Sequence, residues 1–213
     1  MVACIFDLDG VIVDTAHYHF MAWQKLAKEL GINLTEQENE RLKGVGRIES
    51  LNIILDLGGI TMPGEEKEIL ASRKNTWFVG YIQAMKKEEI FAGAKDLFDQ
   101  LRQHNKKVAL ASSSKNARTV LDKLEIESYF DAIVDGNMIV NSKPDPEIFL
   151  KAAALLQVNP SDCIVVEDAE AGVEAAKRAG MKCIGIGKPQ QLNRADKVFE
   201  NIGKLSFEFL NNL

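Results

Sequence analysis

The chain has 213 residues, enough for one large domain or a domain with an insert, and its 46% hydrophobic and 27% charged residues are ordinary for a globular protein. Its net charge of −5 argues against a general binder of nucleic acid or membranes, so an anionic substrate needs a local group of Lys and Arg. The three cysteines have no metal-binding spacing, and no signal peptide or membrane-length apolar segment is evident. We therefore expect reduced thiols and a cytoplasmic location.

The first predicted element is an apolar strand that ends in two carboxylates. Ala3–Phe6 is followed by Asp7, Asp9 and Gly10. Residues two apart in an extended chain point to the same side, so the two carboxylates project together. Such a pair needs a cation or a shared proton. The simpler alternative is a polar strand end followed by an Asp-Gly turn.

The next segment, residues 15–89, is predicted to be helical throughout. Apolar residues of Ala16–Leu30 recur at helical spacing, and a glycine follows. Thr35 and Glu38 form a capping-box signature for a second helix, and Glu65–Met85 is a long, charged helix. The segment contains no convincing strand.

From residue 90 onward, predicted strands alternate with helices. The strands are Val108–Ala111, Ala132–Val134, Cys163–Val166, Cys183–Ile186 and, as an edge strand, Lys197–Phe199. Continuously apolar strands joined by helices indicate a parallel sheet covered on both faces. We predict an α/β fold with a doubly wound, mostly parallel, Rossmann-like sheet and an all-helical cap inserted after the first strand. The predicted core domain comprises residues 1–14 and 90–213, and the predicted cap domain comprises residues 15–89.

Ligands of doubly wound sheets bind beyond the carboxyl ends of the strands. The polar residues there, besides the first two carboxylates, are Ser112, Ser113, Ser114, Lys115, Asn116, Lys143, Glu167 and Asp168. Carboxylates and phosphate oxygens are preferred ligands of Mg²⁺, and a carboxylate can also attack phosphorus. A second carboxyl group can transfer protons, and a lysine can neutralise phosphate charge. The set predicts a Mg²⁺-dependent phosphoryl-transfer site.

The motifs that carry these residues resemble the haloacid dehalogenase superfamily of phosphotransferases. They are DLDGV, the triple serine at 112–114, SKPDP and VVED. In the helical segment, YHFMAWQKLA, LKGVGR and SRKN resemble the mutases of that superfamily that act on glucose phosphates. The resemblance extends over essentially the whole chain.

The resemblance implies separate roles for the residues at the ends of the strands. Asp7 would be the nucleophile that carries the phosphoryl group, and Asp9 the general acid and base, with its backbone carbonyl also touching the metal. Asp168 would ligate Mg²⁺ and Glu167 would support the metal site. The transferring phosphate would be held by Ser112 and Lys143, with Ser113 and Ser114 in the same phosphate-binding loop.

The resemblance also implies a second phosphate site and a substrate-binding cap. Arg47, Lys115 and Asn116 would hold the non-transferring phosphate. The residues that would meet the substrate or help closure are His19, Trp23 and Lys74, with Thr15 at the hinge and Gly44, Val45, Gly46 and Arg47 in a specificity loop. Simpler alternatives are a surface position for His19, core packing for Trp23 and solvation for Lys74.

Two residues depart from the family pattern. Gly46 stands where a small hydroxyl residue is usual, and Ala169 stands where a serine is common. Gly46 removes a possible hydrogen bond to sugar or phosphate, and Ala169 removes a hydroxyl near the metal. Neither departure removes a catalytic role.

The expected function is that of a Mg²⁺-dependent mutase that interconverts β-D-glucose 1-phosphate and D-glucose 6-phosphate. The expected intermediates are an aspartyl-phosphate enzyme and glucose 1,6-bisphosphate, which also acts as primer. Its expected partners are small sugar phosphates, without nucleic acid or membrane, and we expect a monomer. The alternatives are a sugar-phosphate phosphatase of the same superfamily and a non-catalytic binding protein.

Overall fold

Six parallel strands form a single sheet in the computed structural model, which describes residues 1–213. The strands are β1 (Ala3–Phe6), β2 (Lys107–Ala111), β3 (Ala132–Val134), β4 (Cys163–Glu167), β5 (Lys182–Ile186) and β6 (Lys197–Phe199). Their order is β3-β2-β1-β4-β5-β6, and every neighbouring pair is parallel. The predicted fold class is confirmed, including the edge position of β6.

Strand β1 lies in the middle of the sheet, where the strand order changes direction. Ala3 pairs with Lys107 on one side and with Cys163 on the other. All four residues of β1 are buried, which explains its continuous apolar sequence. The crevice beyond the carboxyl end of such a central strand is the usual ligand site of this architecture.

Nine α-helices accompany the sheet. They are α1 (Thr15–Glu29), α2 (Glu36–Asn39), α3 (Arg47–Leu57), α4 (Gly64–Ile82), α5 (Ala94–Gln103), α6 (Ala117–Leu124), α7 (Glu147–Leu156), α8 (Glu170–Arg178) and α9 (Phe207–Asn212). The side chain of Asp14 caps α1, and Thr35 and Glu38 form both hydrogen bonds of the predicted capping box before α2. No helix combines the length and apolar character needed to cross a membrane.

The apolar interior is divided into three clusters. Alternate residues of β1 supply the two faces of the sheet: Cys4 and Phe6 pack in one cluster, Ala3 and Ile5 in the other. A third cluster lies within α1, α3 and α4, and residues 15–89 contain no strand. We refer to residues 15–89 as the helical insert and to the remaining chain as the core. The division into two domains stays a prediction.

Candidate active site

The carboxyl ends of β1 and β4 place two carboxylates around a buried lysine. Lys143 Nζ lies 2.5 Å from Asp7 Oδ1 and 2.9 Å from Glu167 Oε2, and it also donates to the carbonyl of Ala111 at 3.1 Å. Lys143 is 1% exposed. Burial alone would lower its pKa, but the two carboxylates outweigh burial and raise the pKa of Lys143. The ammonium group therefore stays charged at the base of the site.

The arrangement of the carboxylates fits a divalent cation. Carboxylate oxygens of Asp7, Glu167 and Asp168 lie within 4.8 Å of one another. Together with Asp9 these carboxylates carry more negative charge than the single ammonium of Lys143 can balance. Burial, followed by the charges of Glu167 and Asp7, raises the pKa of Asp168 well above its usual value. Oxygen ligands with excess negative charge are what Mg²⁺ requires. The metal contribution expected from the Asp9 carbonyl stays a prediction.

Gly10 is required for this geometry. Its φ of +77° lies in the left-handed region, and a Cβ atom at this position would collide with the carboxylate of Asp168. The turn after β1 therefore approaches the end of β4 closely only because residue 10 has no side chain. This close approach explains why a glycine follows Asp9 in the DLDGV motif.

Asp9 has an environment that differs from that of Asp7. Its Oδ2 accepts a hydrogen bond from Ser112 Oγ at 3.3 Å, and its backbone N–H donates to Asp7 Oδ2 at 2.9 Å. Its Oδ1 is buried without a hydrogen-bond partner. Burial, and then the charge of Asp7, raises the pKa of Asp9 to about 7. A carboxyl group with such a pKa can both donate and accept a proton near neutral pH.

The loop after β2 joins the core to the helical insert. Ser112 is fully buried and its Oγ accepts a hydrogen bond from the backbone N–H of Ser114 at 3.2 Å. Ser113 Oγ donates to the carbonyl of Gly44 in the insert at 2.8 Å. The hydroxyl of Ser112 therefore contacts Asp9 and does not face the cleft. Its expected contact with phosphate stays a prediction.

The insert contributes a compact group of aromatic and cationic side chains. Lys74 is 2% exposed, and its Nζ lies 2.7 Å from His19 Nδ1 and 4.5 Å from the centroid of the Trp23 ring. The ring of His19 stacks on Phe78 with centroids 3.9 Å apart. Burial, and then the charge of Arg47, holds the pKa of Lys74 well below its usual value. The alternative of a solvated Lys74 is therefore wrong, whereas Trp23 both packs in the insert and lines the cleft.

One cleft between the insert and the core contains most of the predicted site residues. Its lining includes Asp7, Asp9, His19, Trp23, Gly44, Val45, Arg47, Lys74, Ser113, Ser114, Lys115, Asn116 and Asp168. Five predicted residues lie outside this lining: Thr15, Gly46, Ser112, Lys143 and Glu167. Three of them support the cleft from below: Lys143 donates to Asp7, Ser112 donates to Asp9, and Glu167 accepts from Lys143. Thr15 is buried at the start of α1, and its hydroxyl has no partner.

Five residues that line the cleft were not predicted from the sequence. The lining also includes Ala16, Asn39, Leu42, Lys43 and Ser50, and Asn75 lies behind it in contact with Arg47 and Asn116. Asn75 belongs to the SRKN segment and Lys43 to the LKGVGR segment, so these motifs could have predicted that both residues lie at the site. Asn39 in α2 and Ser50 in α3 face the cleft because of the way these helices pack. No local sequence pattern predicts that packing.

The two departures from the family pattern lie at contacts between insert and core. A Cβ atom on Gly46 would collide with Ser142 Oγ and with the carboxylate of Glu49. Ala169 is 4% exposed, and a Cβ atom on Gly44 would lie 3.0 Å from its side chain. The small residues therefore let the loop before α3 lie directly on the core.

Residues 1–180 match the family model described as haloacid dehalogenase-like hydrolase. The chain belongs to this family. It is 46% identical over 212 residues to a β-phosphoglucomutase of Bacillus subtilis, with 99% of this chain and 94% of that protein covered. A crystal structure of a β-phosphoglucomutase from Clostridium difficile superimposes with a TM-score of 0.96 at 43% identity, covering 100% of this chain and 96% of that one.

The family also includes phosphatases. The chain is 33% identical over 204 residues to a phosphorylated carbohydrates phosphatase of Thermotoga maritima, covering 94% of this chain and 91% of that protein. The resemblance read from the motifs is confirmed, as is the prediction of a phosphoryl-transfer enzyme. The roles of individual residues follow as proposals.

Proposed function

We propose that the protein is a Mg²⁺-dependent mutase that interconverts β-D-glucose 1-phosphate and D-glucose 6-phosphate. The observation that carries the proposal is a single cleft lined both by Asp7 and by Arg47, Lys115 and Asn116. A phosphatase needs only the anion site beside the nucleophile, whereas a mutase must hold two phosphates at once. The similarity to two β-phosphoglucomutases supports the same choice.

In the proposed cycle, Asp7 alternates between a free and a phosphorylated carboxylate. Phosphorylated Asp7 transfers its phosphoryl group to the 6-hydroxyl of β-glucose 1-phosphate while Asp9 takes the hydroxyl proton. Glucose 1,6-bisphosphate then reverses its orientation, Asp7 attacks the 1-phosphate, and Asp9 returns the proton to the leaving oxygen. An acid–base group with a pKa of about 7 suits both halves of this cycle.

The core supports the transferring phosphate. Lys143, held between Asp7 and Glu167, reduces the repulsion between the nucleophile and the incoming anion, and Ser112 orients Asp9. Mg²⁺ held by Asp7, Glu167 and Asp168 would supply further positive charge at the phosphoryl group. Ser113 and Ser114 form the loop that leads into α6, whose N-terminus favours anions.

The insert completes the site and excludes water. Arg47, Lys115 and Asn116 hold the second phosphate, and His19, Trp23 and Lys74 contact the sugar. In this proposal Thr15 is the hinge, residues 15–89 move as a cap, and Gly44–Arg47 form the specificity loop. Exclusion of water favours transfer to the sugar over hydrolysis of phosphorylated Asp7. We further propose that the enzyme is a monomer located in the cytoplasm.

Product analysis tests the function directly. The protein is mixed with β-D-glucose 1-phosphate, Mg²⁺ and a trace of glucose 1,6-bisphosphate, and both glucose 6-phosphate and inorganic phosphate are measured over time. We expect glucose 6-phosphate as the main product, loss of turnover in excess EDTA and recovery when Mg²⁺ is restored. Inorganic phosphate as the main product would instead establish a phosphatase.

Replacing Arg47 with Ala tests the second phosphate site. A charge-assisted hydrogen bond contributes roughly 1.5–3 kcal/mol, so we expect kcat/KM for β-D-glucose 1-phosphate to fall about 10- to 100-fold. Hydrolysis of acetyl phosphate should change by less than about threefold, because this substrate has no second phosphate for Arg47 to bind. Arg41, an exposed arginine of the same insert outside the cleft, provides the matched control Arg41→Ala. Equal losses on both substrates would contradict the assignment.

A further inference from the structure

Asn75 connects the helical insert to the core beside the cleft. Its Oδ1 accepts hydrogen bonds from Arg47 Nη2 and from Asn116 Nδ2, both at 2.8 Å. Arg47 begins α3 and Asn75 lies in α4, both in the insert, whereas Asn116 precedes α6 in the core. A single amide oxygen thereby joins three elements, although Asn75 does not line the cleft.

The amide of Asn75 holds Arg47 without neutralising it. Arg47 is half-buried and forms no ion pair within 4.0 Å. A guanidinium has five N–H donors, so one bond to a neutral oxygen leaves most donors and the whole positive charge for an anion. A carboxylate in the same place would compensate that charge and weaken anion binding.

The second contact between insert and core at the cleft has a different character. Ser113 Oγ donates to the carbonyl of Gly44, and this bond holds the backbone of the loop before α3 without touching a cation. The bonds of Asn75 instead fix the two side chains that are proposed to bind one phosphate. Donors held in place before binding lose less conformational entropy when the ligand arrives.

We propose that Asn75 is a positioning residue for the second phosphate, holding Arg47 of the insert and Asn116 of the core at a separation at which both contact one anion. The inference rests on the proposed function, which assigns that phosphate to Arg47, Lys115 and Asn116. Asn75 thus acts through its two neighbours and makes the anion site dependent on the contact between insert and core.

The first test is the substitution Asn75→Ala. We expect KM for β-D-glucose 1-phosphate to rise about 10- to 100-fold, the loss that corresponds to one hydrogen bond of a charged group, here Arg47, with a smaller fall in kcat. Hydrolysis of acetyl phosphate should stay nearly unchanged. The matched control is Thr76→Ala, because Thr76 is exposed and its hydroxyl contacts only the carbonyl of Ser72 in its own helix.

A double-mutant cycle distinguishes positioning from a general structural role. If Asn75 acts through Arg47 and Asn116, the losses of Arg47→Ala and Asn75→Ala should be clearly less than additive in the double variant, because Arg47→Ala already removes one of the two side chains that Asn75 holds. Additive losses would overturn the proposal, as would an unchanged KM in the single variant. Asn75→Asp keeps both hydrogen bonds but compensates the charge of Arg47, so its KM should rise at least as much as that of Asn75→Ala. A purely structural role predicts a near-normal KM for Asn75→Asp.

The same cycle separates this inference from the proposed function. The dissociation constant of glucose 6-phosphate, measured by calorimetry, requires no turnover. If the wild type binds glucose 6-phosphate without forming it, the mutase assignment fails, and the non-additivity of the two substitutions in binding still decides the role of Asn75. If the wild type does not bind glucose 6-phosphate, both proposals are overturned.

Discussion

Replacing Asp7 with Asn should abolish phosphoryl transfer, with a loss of roughly 10⁴- to 10⁶-fold in kcat, the range seen when a covalent nucleophile is removed. An amide of the same shape can still pack beside Lys143, but it lacks the anionic oxygen that attacks phosphorus. The variant should also fail to retain labelled phosphate from glucose 1,6-bisphosphate. The measurements are steady-state turnover and the covalent label on the denatured protein.

Asp14→Asn is the matched control for this substitution. Asp14 is exposed, lies in the same segment and caps α1 by accepting from the N–H of His17, and Asn caps helices equally well. Its turnover should stay within about twofold of the wild type, as is usual for a surface change. Labelled phosphate on the Asp7→Asn variant would show that another residue is the nucleophile.

Replacing Asp9 with Asn should lower kcat on β-D-glucose 1-phosphate by about 10²- to 10⁴-fold, the usual contribution of a general acid and base. An amide cannot give a proton to the leaving oxygen or take one from the attacking hydroxyl. Acetyl phosphate has a leaving group that needs no proton, so phosphorylation of Asp7 by this donor should fall less than about tenfold. The ratio of the two losses is the measured quantity.

Comparison of the losses on β-D-glucose 1-phosphate and on acetyl phosphate tests whether Asp9 acts by proton transfer. A similar loss on both would indicate that Asp9 acts by shaping the site around Asp7, since its backbone N–H donates to that carboxylate. A loss confined to the sugar phosphate would support proton transfer. Far-ultraviolet circular dichroism should match the wild type in either case.

The sequence predicted the parts of the site that depend on local pattern and parallel register. Asp7 and Asp168 follow neighbouring strands, so their proximity follows once β1 and β4 are recognised as parallel partners. The helical insert was also predictable, because helical spacing recurs along residues 15–89 and a capping box begins its second helix.

Other features depend on packing that no local pattern encodes. Lys143 lies in a loop without regular structure, and its burial between Asp7 and Glu167 depends on the path of that loop across the sheet. The contact between Lys74 and His19 depends on how α4 packs on α1, and the bridge formed by Asn75 depends on how α4 meets α6. The SKPDP motif predicted that Lys143 belongs to the site, but local sequence does not predict its burial or the contacts of Lys74 and Asn75.

The central position of β1 has a consequence for how the protein folds. Ala3 pairs with Lys107 and Cys163, so the middle strand of the sheet gains its two neighbours only from distant parts of the chain. The helices of residues 15–89 have their own apolar cluster and can pack from nearby contacts, which form faster than distant ones. During synthesis on a ribosome, β1 therefore stays without a partner on one side until β4 has emerged. Because the carboxylates proposed to hold the metal lie at the carboxyl ends of β1 and β4, the catalytic site can form only late in folding, when these two strands pair.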